Sequence, residues 1–292
     1  MLTRIISGAV GVVLIGIVLF FHDTVVLPIA VAAIIAVMLF ELLRAVKLHK
    51  CIPILLAAEA CGISVPILYG ILTKIDVYGV EYPGRFEFLS WRYEDKYKIY
   101  VFGIMLLCAF VIFITWLKKH KEIRYEQVFF VLAVMILVPQ AMTTMVRTER
   151  YDPKSGLFLL IMGLCGAWIA DTGAYFTGVA IGKHKLCPEI SPKKTIEGLM
   201  GGILTTAIAY TVAFSCYYGF TAKRAAIAFI TGAVCAVIGT VGDLSASMVK
   251  RQIGFKDYGK IMPGHGGLMD RFDSVLFVLP TFYVFITLFG VQ

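Results

Sequence analysis

Residues 25–40 read VVLPIAVAAIIAVMLF, a run of sixteen residues without a charged side chain. A helix rises about 1.5 Å per residue, so roughly 20 apolar residues are needed to cross the hydrocarbon core of a bilayer. Similar runs recur along the chain and give nine candidate spans, at residues 5–21, 25–40, 52–72, 99–117, 129–145, 156–179, 198–218, 225–242 and 274–289. The sequence therefore predicts an all-α, polytopic integral membrane protein with about nine transmembrane helices.

The composition of the whole chain agrees with this prediction. Hydrophobic residues make up 59% of the 292 residues and charged residues only 16%, whereas a soluble domain carries roughly 25% charged residues. The seven cysteines include no C-x-x-C pair and lie mostly in apolar runs, so neither a disulfide framework nor a zinc site is expected. The run at 5–21 follows Arg4 and precedes no small-x-small cleavage site, and we interpret it as an anchored helix.

The distribution of positive charge predicts which side of the membrane each loop faces. Cytoplasmic loops of membrane proteins are enriched in Lys and Arg. With a cytoplasmic N-terminus, 17 of the 27 Lys and Arg residues fall on the cytoplasmic side and 10 on the other side. We therefore expect a cytoplasmic N-terminus, with the polar and aromatic insertion at 74–98 on the opposite side.

Polar residues within or beside apolar spans are concentrated in the second half of the chain. We accordingly divide the chain into an N-terminal region of about five helices, 1–150, and a C-terminal catalytic region of about four helices, 151–292. Asp243 lies at the end of the eighth run, and Ser247 and Lys250 follow four and seven residues later, on the same helical face. This face is predicted to present a carboxylate, a hydroxyl and an ammonium group.

A loop rich in glycine follows this helix. Residues 263–267 read PGHGG and lead into a helix that carries Asp270 and Asp273 on one face, and backbone N–H groups in such loops bind anions. Carboxylates such as Asp243 and Asp270 suit Mg²⁺. Neighbouring cations would neutralise phosphate oxygens, namely Lys250, Arg251, Lys256 and Arg271. The combination predicts phosphate chemistry, although each element alone also fits an interfacial ion pair, a geometric loop or a topology signal.

Three further polar features lie upstream. Asp171 stands inside an apolar run, where a charge costs roughly 3 kcal/mol unless it is paired or hydrated. Residues 191–198 read SPKKTIEG, which we interpret as a helix start with Ser191 as N-cap and with Lys193 and Lys194 at an anion-binding helix end. Glu59 is a lone carboxylate in the third run and is kept as a functional hypothesis beside a purely structural one.

Several motifs of other enzyme classes are missing from the sequence. Residues 178–183 do not have the spacing of a P-loop, and the chain contains no G-x-G-x-x-G, G-x-S-x-G or H-E-x-x-H motif. P-loop ATPase, dinucleotide-binding, α/β-hydrolase and zinc-protease chemistry are therefore not expected.

Residues 247–273 form a long signature that reads Ser247-x2-Lys250-Arg251-x4-Lys256-Asp257-x-Gly259-x3-Pro263-x-His265-Gly266-Gly267-x2-Asp270-Arg271-x-Asp273. Together with 171–175 (DTGAY) and 191–198, it resembles the phosphatidate cytidylyltransferases, also called CDP-diacylglycerol synthases. Two positions depart from the family pattern. Met262 replaces a usual Leu, Ile or Phe, and Ala246 stands where many members carry Glu, so any role of that carboxylate must be supplied by another acid.

The resemblance implies that CTP and phosphatidate react in line to give CDP-diacylglycerol and pyrophosphate, with Mg²⁺ held by Asp243 and Asp270 and a second cation left open. The implied catalytic residues are Asp243, Asp270, Lys250, Arg251 and His265, of which His265 is interpreted as a hydrogen-bond donor within the loop. The implied substrate-binding residues are Ser191, Lys193, Lys194, Ser247, Lys256, Asp171, Gly266, Gly267, Arg271 and Asp273.

A compact nine-helix chain without a cleavable presequence suggests a bacterial inner membrane, and the charge distribution places the active site on the cytoplasmic side. Membrane lipid is the expected partner, and no nucleic-acid partner is expected. A homodimer is left open. Two alternatives also stay open: CTP-dependent chemistry on another lipid, such as an isoprenoid alcohol or an archaeal ether lipid, and transport of an anion.

Overall fold

The computed structural model describes residues 11, 13–77, 93–259, 261 and 266–290. After the helical residues 13–20, the described elements are α1 (Val26–Ala45), α2 (Ile52–Val77), α3 (Tyr93–Lys118), α4 (Tyr125–Glu149), α5 (Gly156–Ile181), β1 (Lys185–Cys187), β2 (Ser191–Thr195), α6 (Ile196–Tyr218), α7 (Ala222–Ile253), α8 (Met269–Phe272) and α9 (Val275–Phe289).

Eight helical segments in these described ranges are long and apolar enough to cross a membrane, with α8 and α9 counted as one segment, Met269–Phe289. They coincide with eight of the nine predicted runs, so the prediction of an all-α polytopic membrane protein is confirmed. Residues 5–10 and 12 of the first predicted run, 5–21, and residues 78–92 of the insertion at 74–98 lie outside the described residues. The cytoplasmic N-terminus stays a prediction.

The chain forms two compact units, and the first comprises Met1–Val146 with Gly259–Met269. Its helices bury apolar side chains such as Leu43, Ile54, Ile112 and Met135. The second unit comprises Arg147–Tyr258 with Asp270–Gln292. The predicted regions 1–150 and 151–292 concern where function resides, and that division stays a prediction.

Small residues bring three helices of the second unit close together. A Cβ atom on Gly202 of α6 would lie 2.7 Å from the Ala170 carbonyl oxygen of α5, and one on Gly232 of α7 would lie 2.7 Å from the Thr206 carbonyl oxygen of α6. Any side chain at these positions would push the backbones apart, and close approach through small residues is the usual way in which membrane helices associate. The polar residues that α5, α6 and α7 carry are thereby held near one another.

The prediction of a helix start at Ser191 is wrong. Residues Ser191–Thr195 form strand β2, which pairs antiparallel with β1, and α6 begins at Ile196. Pro192 disfavours helical backbone at the residue before it. The N-cap is instead Thr195, whose hydroxyl oxygen accepts a hydrogen bond from the Gly198 N–H at 3.1 Å. Lys193 and Lys194 therefore belong to a hairpin strand and not to a helix end.

Candidate active site

A cavity of about 410 Å³ lies within the second unit, between α5, the β1–β2 hairpin, α6 and α7. Its lining combines one carboxylate and several ammonium groups with apolar side chains, and includes Asp171, Tyr175, Val179, Lys185, Leu186, Lys193, Lys194 and Leu199. A cavity with both kinds of lining suits a ligand that carries anionic groups and apolar chains.

The hairpin that carries these three lysines is fixed to the start of α6 by Glu197. The Glu197 carboxylate accepts hydrogen bonds from the backbone N–H groups of Lys183 at 3.1 Å and His184 at 3.2 Å, and its Oε1 lies 2.6 Å from His184 Nδ1. The Ile196 N–H in turn donates to the His184 carbonyl oxygen at 2.9 Å. These bonds hold Lys193 and Lys194 at the cavity without using either ammonium group.

Asp243 of α7 is paired with one of the hairpin lysines. Lys194 Nζ lies 2.5 Å from Asp243 Oδ2, and both side chains are about one quarter exposed. The Ser247 hydroxyl donates to Asp243 Oδ1 at 3.3 Å, as expected for residues four apart on one helix face. The predicted neighbours Asp243 and Ser247 are thus in contact, and Lys194 joins them from a distant part of the sequence.

Lys250 pairs with Asp270. The Lys250 ammonium lies 2.7 Å from Asp270 Oδ1, and the two side chains are only 11% and 3% exposed. The other carboxylate oxygen, Oδ2, accepts the Tyr258 N–H at 2.8 Å. Both oxygens of Asp270, which was predicted to bind a metal, therefore already have donors within the second unit.

The aromatic ring of Tyr258 packs over the ammonium group of Lys250. Its ring centroid is 5.4 Å from Lys250 Nζ, and its hydroxyl donates to the Ala246 carbonyl oxygen at 3.1 Å. Burial, followed by the charges of Asp270 and Asp273, raises the pKa of Tyr258 above its ordinary value. The phenol therefore stays protonated at neutral pH and acts as a hydrogen-bond donor that stabilises the segment after α7.

Three carboxylates from different helices interact electrostatically. Asp171 of α5 and Asp243 of α7 each interact with Asp273, which lies between α8 and α9, and with each other. Asp171 also forms a side-chain hydrogen bond with Ser274 and interacts with Lys194. Like charges held close together are unfavourable unless cations balance them, so this carboxylate cluster (Asp171, Asp243 and Asp273) favours positively charged ligands.

The carboxylate cluster supplies the hard oxygen ligands that Mg²⁺ prefers. Within the described part of the chain, no group of three or more His, Cys, Asp or Glu side chains is arranged as a ready metal site. Mg²⁺ usually takes one or two carboxylates and completes its coordination with waters and substrate phosphates. The donor set around Asp243 therefore fits a cation that binds together with a phosphorylated substrate.

The other predicted site residues lie nearby in the sequence but are not all in contact. Arg251, Lys256 and Arg271 are exposed, and Gly254, with φ of 80°, ends α7 between the first two. Ser191 begins β2, and Gly266 has φ of 89°, a left-handed conformation that glycine adopts without strain. His265 lies outside the described residues. The binding and catalytic roles assigned to all these residues stay predictions.

Sequence reasoning missed Glu41. The predicted second span ended at Phe40, yet Glu41 lies inside α1 and is only 1% exposed. Its carboxylate accepts the backbone N–H groups of Leu268 and Met269, both in the same unit. The signal in the sequence was a carboxylate at the end of an apolar run, but a surface pair with Arg44, three residues on, would explain that position equally well.

Comparison with known proteins gives one consistent result. A model of the cytidylyltransferase family matches residues 2–289. The chain is 32% identical over 255 residues to a phosphatidate cytidylyltransferase of Bacillus subtilis, which covers 87% of this chain and 86% of that protein. It is 44% identical over 131 residues to the protein of that name from Staphylococcus saprophyticus, covering 44% and 50% of the two chains. It is 43% identical over 143 residues to that of Haemophilus influenzae, covering 48% and 50%.

Proposed function

The chain belongs to the phosphatidate cytidylyltransferase family and is a nucleotidyltransferase, and from this premise we propose that it transfers the cytidylyl group of CTP to phosphatidate. The products are CDP-diacylglycerol and pyrophosphate. The observation that carries this proposal is the cavity that joins Lys193, Lys194 and Asp171 to apolar walls, with Asp243 bound to Lys194. A phosphate headgroup with acyl chains has the matching chemistry.

The reaction is a single in-line displacement. A phosphate oxygen of phosphatidate forms a bond to the α-phosphorus of CTP, while the bond from that phosphorus to the oxygen bridging to the β-phosphate breaks. The electron pair leaves with pyrophosphate. Because the attacking oxygen is already anionic, no strong general base is required, and positioning together with charge neutralisation supplies most of the acceleration.

Lys194 and Lys250 provide this neutralisation. Each ammonium group is held by a carboxylate before substrate binds, Lys194 by Asp243 at 2.5 Å and Lys250 by Asp270 at 2.7 Å. Phosphate oxygens offer the lysines an alternative partner of the same charge. The carboxylates thus keep the lysine side chains close to the positions at which substrate phosphates bind, and Lys193, Arg251, Lys256 and Arg271 add exposed positive charge.

Mg²⁺ is the proposed cofactor, with Asp243 and Asp270 as its protein ligands. When bound, such a cation supplies charge neutralisation at the phosphates and orients them. Asp243 is the more favourable of the two cation ligands, because the like charges of Asp171 and Asp273 interact with it and favour a positively charged ligand. Asp270 would hold the cation through an oxygen that Lys250 now occupies, so the two proposed roles of that pair are coupled.

The proposed location is a bacterial inner membrane, with the site on the cytoplasmic side. The excess of Lys and Arg in the loops assigned to that side supports this orientation.

Labelled CTP distinguishes the proposed reaction from its alternatives. We expect detergent-purified protein with Mg²⁺ and phosphatidate to move label from the α-phosphate of CTP into lipid and label from the γ-phosphate into pyrophosphate. Phosphorylation of an isoprenoid alcohol would instead move the γ-label into lipid and release CDP. Lipid labelling from the γ-position, or α-labelling of an ether lipid with none of phosphatidate, would contradict the proposal.

A further inference from the structure

Glu41 is a buried carboxylate whose two oxygens each accept a backbone N–H group from the end of the glycine-rich loop (residues 259–269). Leu268 N–H donates to Oε1 at 3.1 Å and Met269 N–H donates to Oε2 at 2.8 Å. Hydrogen bonds to an ionised acceptor are about twice as strong as neutral ones. The loop is thus attached to α1 by two charge-assisted bonds that span more than two hundred residues of sequence.

Helix α1 itself does not explain a carboxylate at this position. Glu41 lies in the last turns of α1, which ends at Ala45, and negative charge is disfavoured near a helix C-terminus. Burial of a carboxylate without donors costs several kcal/mol. The two N–H groups of the loop supply the compensation that the helix does not, so the carboxylate and the loop conformation depend on each other.

Two glycines close the loop around this carboxylate. A Cβ atom on Gly259 would collide with Glu41 Oε1 and would lie 2.8 Å from the Gly267 Cα atom. A Cβ atom on Gly267 would lie 2.6 Å from either carboxylate oxygen and 2.5 Å from the Gly259 backbone nitrogen. The two ends of the loop therefore approach each other over Glu41 at a distance that excludes any side chain.

Two backbone N–H groups at the end of the loop bind Glu41 and are therefore not available to a substrate anion. The sequence predicts that backbone N–H groups of this loop bind a substrate anion, but those of Leu268 and Met269 already bind the protein's own anion. Met269 is followed directly in the chain by Asp270. Glu41 therefore fixes the residue before a proposed metal ligand and the residues just after Gly266 and Gly267.

We propose that Glu41 is a positioning residue for the nucleotidyl transfer, which acts by holding the backbone of Leu268 and Met269, directly before Asp270, in place. This inference rests on the proposed function for its effect on catalysis. The effect on the loop is independent of which lipid accepts the nucleotide. Glu41→Gln keeps the shape of the side chain but turns one acceptor oxygen into a donor that faces a backbone N–H group.

Two measurements test the proposal on Glu41→Gln, with Glu122→Gln as the control because Glu122 forms only an exposed surface pair with Lys119. Hydrogen–deuterium exchange without substrate is expected to be at least about 10-fold faster at the amides of Leu268 and Met269, since they lose a charged acceptor. The kcat/KM for CTP is expected to fall about 10- to 100-fold, because a misplacement of about 1 Å costs that much. Glu41→Asp is expected to recover part of both losses.

Unchanged exchange at Leu268 and Met269 in Glu41→Gln would overturn the proposal, as would faster exchange with an unchanged kcat/KM. Helical circular dichroism and a single elution peak show whether each variant is folded, and Glu41→Asp provides a milder change if the Gln variant is not. If the wild-type protein makes no CDP-diacylglycerol, the proposed function fails, but the exchange measurement still decides whether Glu41 holds the loop.

Discussion

Asp243→Asn is expected to lower turnover about 10³-fold while leaving the protein folded. The substitution keeps the volume of the side chain but removes the charge that pairs with Lys194 at 2.5 Å. It also removes one of three like charges in the carboxylate cluster, since Asp243 interacts electrostatically with Asp171 and Asp273. The loss of the ion pair and the relief of repulsion act in opposite directions, so the free energy of unfolding should change by less than about 1 kcal/mol as activity is lost.

Transfer of α-labelled CTP into lipid, measured over a range of Mg²⁺ concentrations, checks this result. Asp95→Asn is the matched control, because Asp95 is exposed and its ion pair among the described residues is a 3.7 Å surface contact with Lys98. Such pairs contribute little, and this variant should keep wild-type turnover. Substantial Mg²⁺-dependent activity in Asp243→Asn would remove Asp243 from the proposed metal site.

Lys250→Met is expected to lower both activity and stability. Lys250 and Asp270 are 11% and 3% exposed, and removing one partner of a buried pair leaves an uncompensated charge that costs about 3 kcal/mol or more. The same substitution at the exposed pair, Lys119→Met, should cost less than about 1 kcal/mol, because Lys119 and Glu122 are 46% and 73% exposed. Unfolding in mixed detergent micelles, followed by circular dichroism, compares the two variants.

The double variant Lys250→Met with Asp270→Asn separates the two effects. Neutralising both partners removes the uncompensated charge and should restore most of the stability. Activity should stay lost, because both the proposed phosphate-binding ammonium group and the proposed metal ligand are gone. Equal stability losses for Lys250→Met and Lys119→Met would show that the buried pair has no special structural role, and recovered turnover in the double variant would contradict its catalytic role.

The positions of the membrane helices and the local contacts at Asp243 were predictable from sequence. Each described membrane helix overlaps one predicted apolar run, because lipid requires continuous backbone hydrogen bonding, although α7 continues eleven residues beyond its run, to Ile253. The contact between Asp243 and Ser247 follows from helix geometry, which places residues four apart on one face. Both features depend on neighbours in sequence.

Contacts between distant residues were not predictable in the same way. The sequence placed Lys250 on the helix face of Asp243 but did not identify Asp270, twenty residues further along the chain, as the partner of its ammonium group. A helix was predicted from Ser191, but residues 191–195 form a strand because residues 185–187 supply a pairing partner. The N-cap of the following helix is Thr195. The hydrogen-bond donors to Glu41 come from residues more than two hundred positions away, and no local sequence pattern predicts such contacts.

Affinity labelling with the 2′,3′-dialdehyde of CTP tests most directly whether the cavity beside Asp243 binds the nucleotide. The dialdehyde forms imines with nearby lysines, which borohydride reduction makes permanent and peptide mapping locates. We expect label on Lys185, Lys193 or Lys194, the lysines that line the cavity, and loss of that label when excess CTP and Mg²⁺ are present. CTP-protected label on Lys118, Lys119 or Lys121 of the first unit, with none on the hairpin, would contradict it.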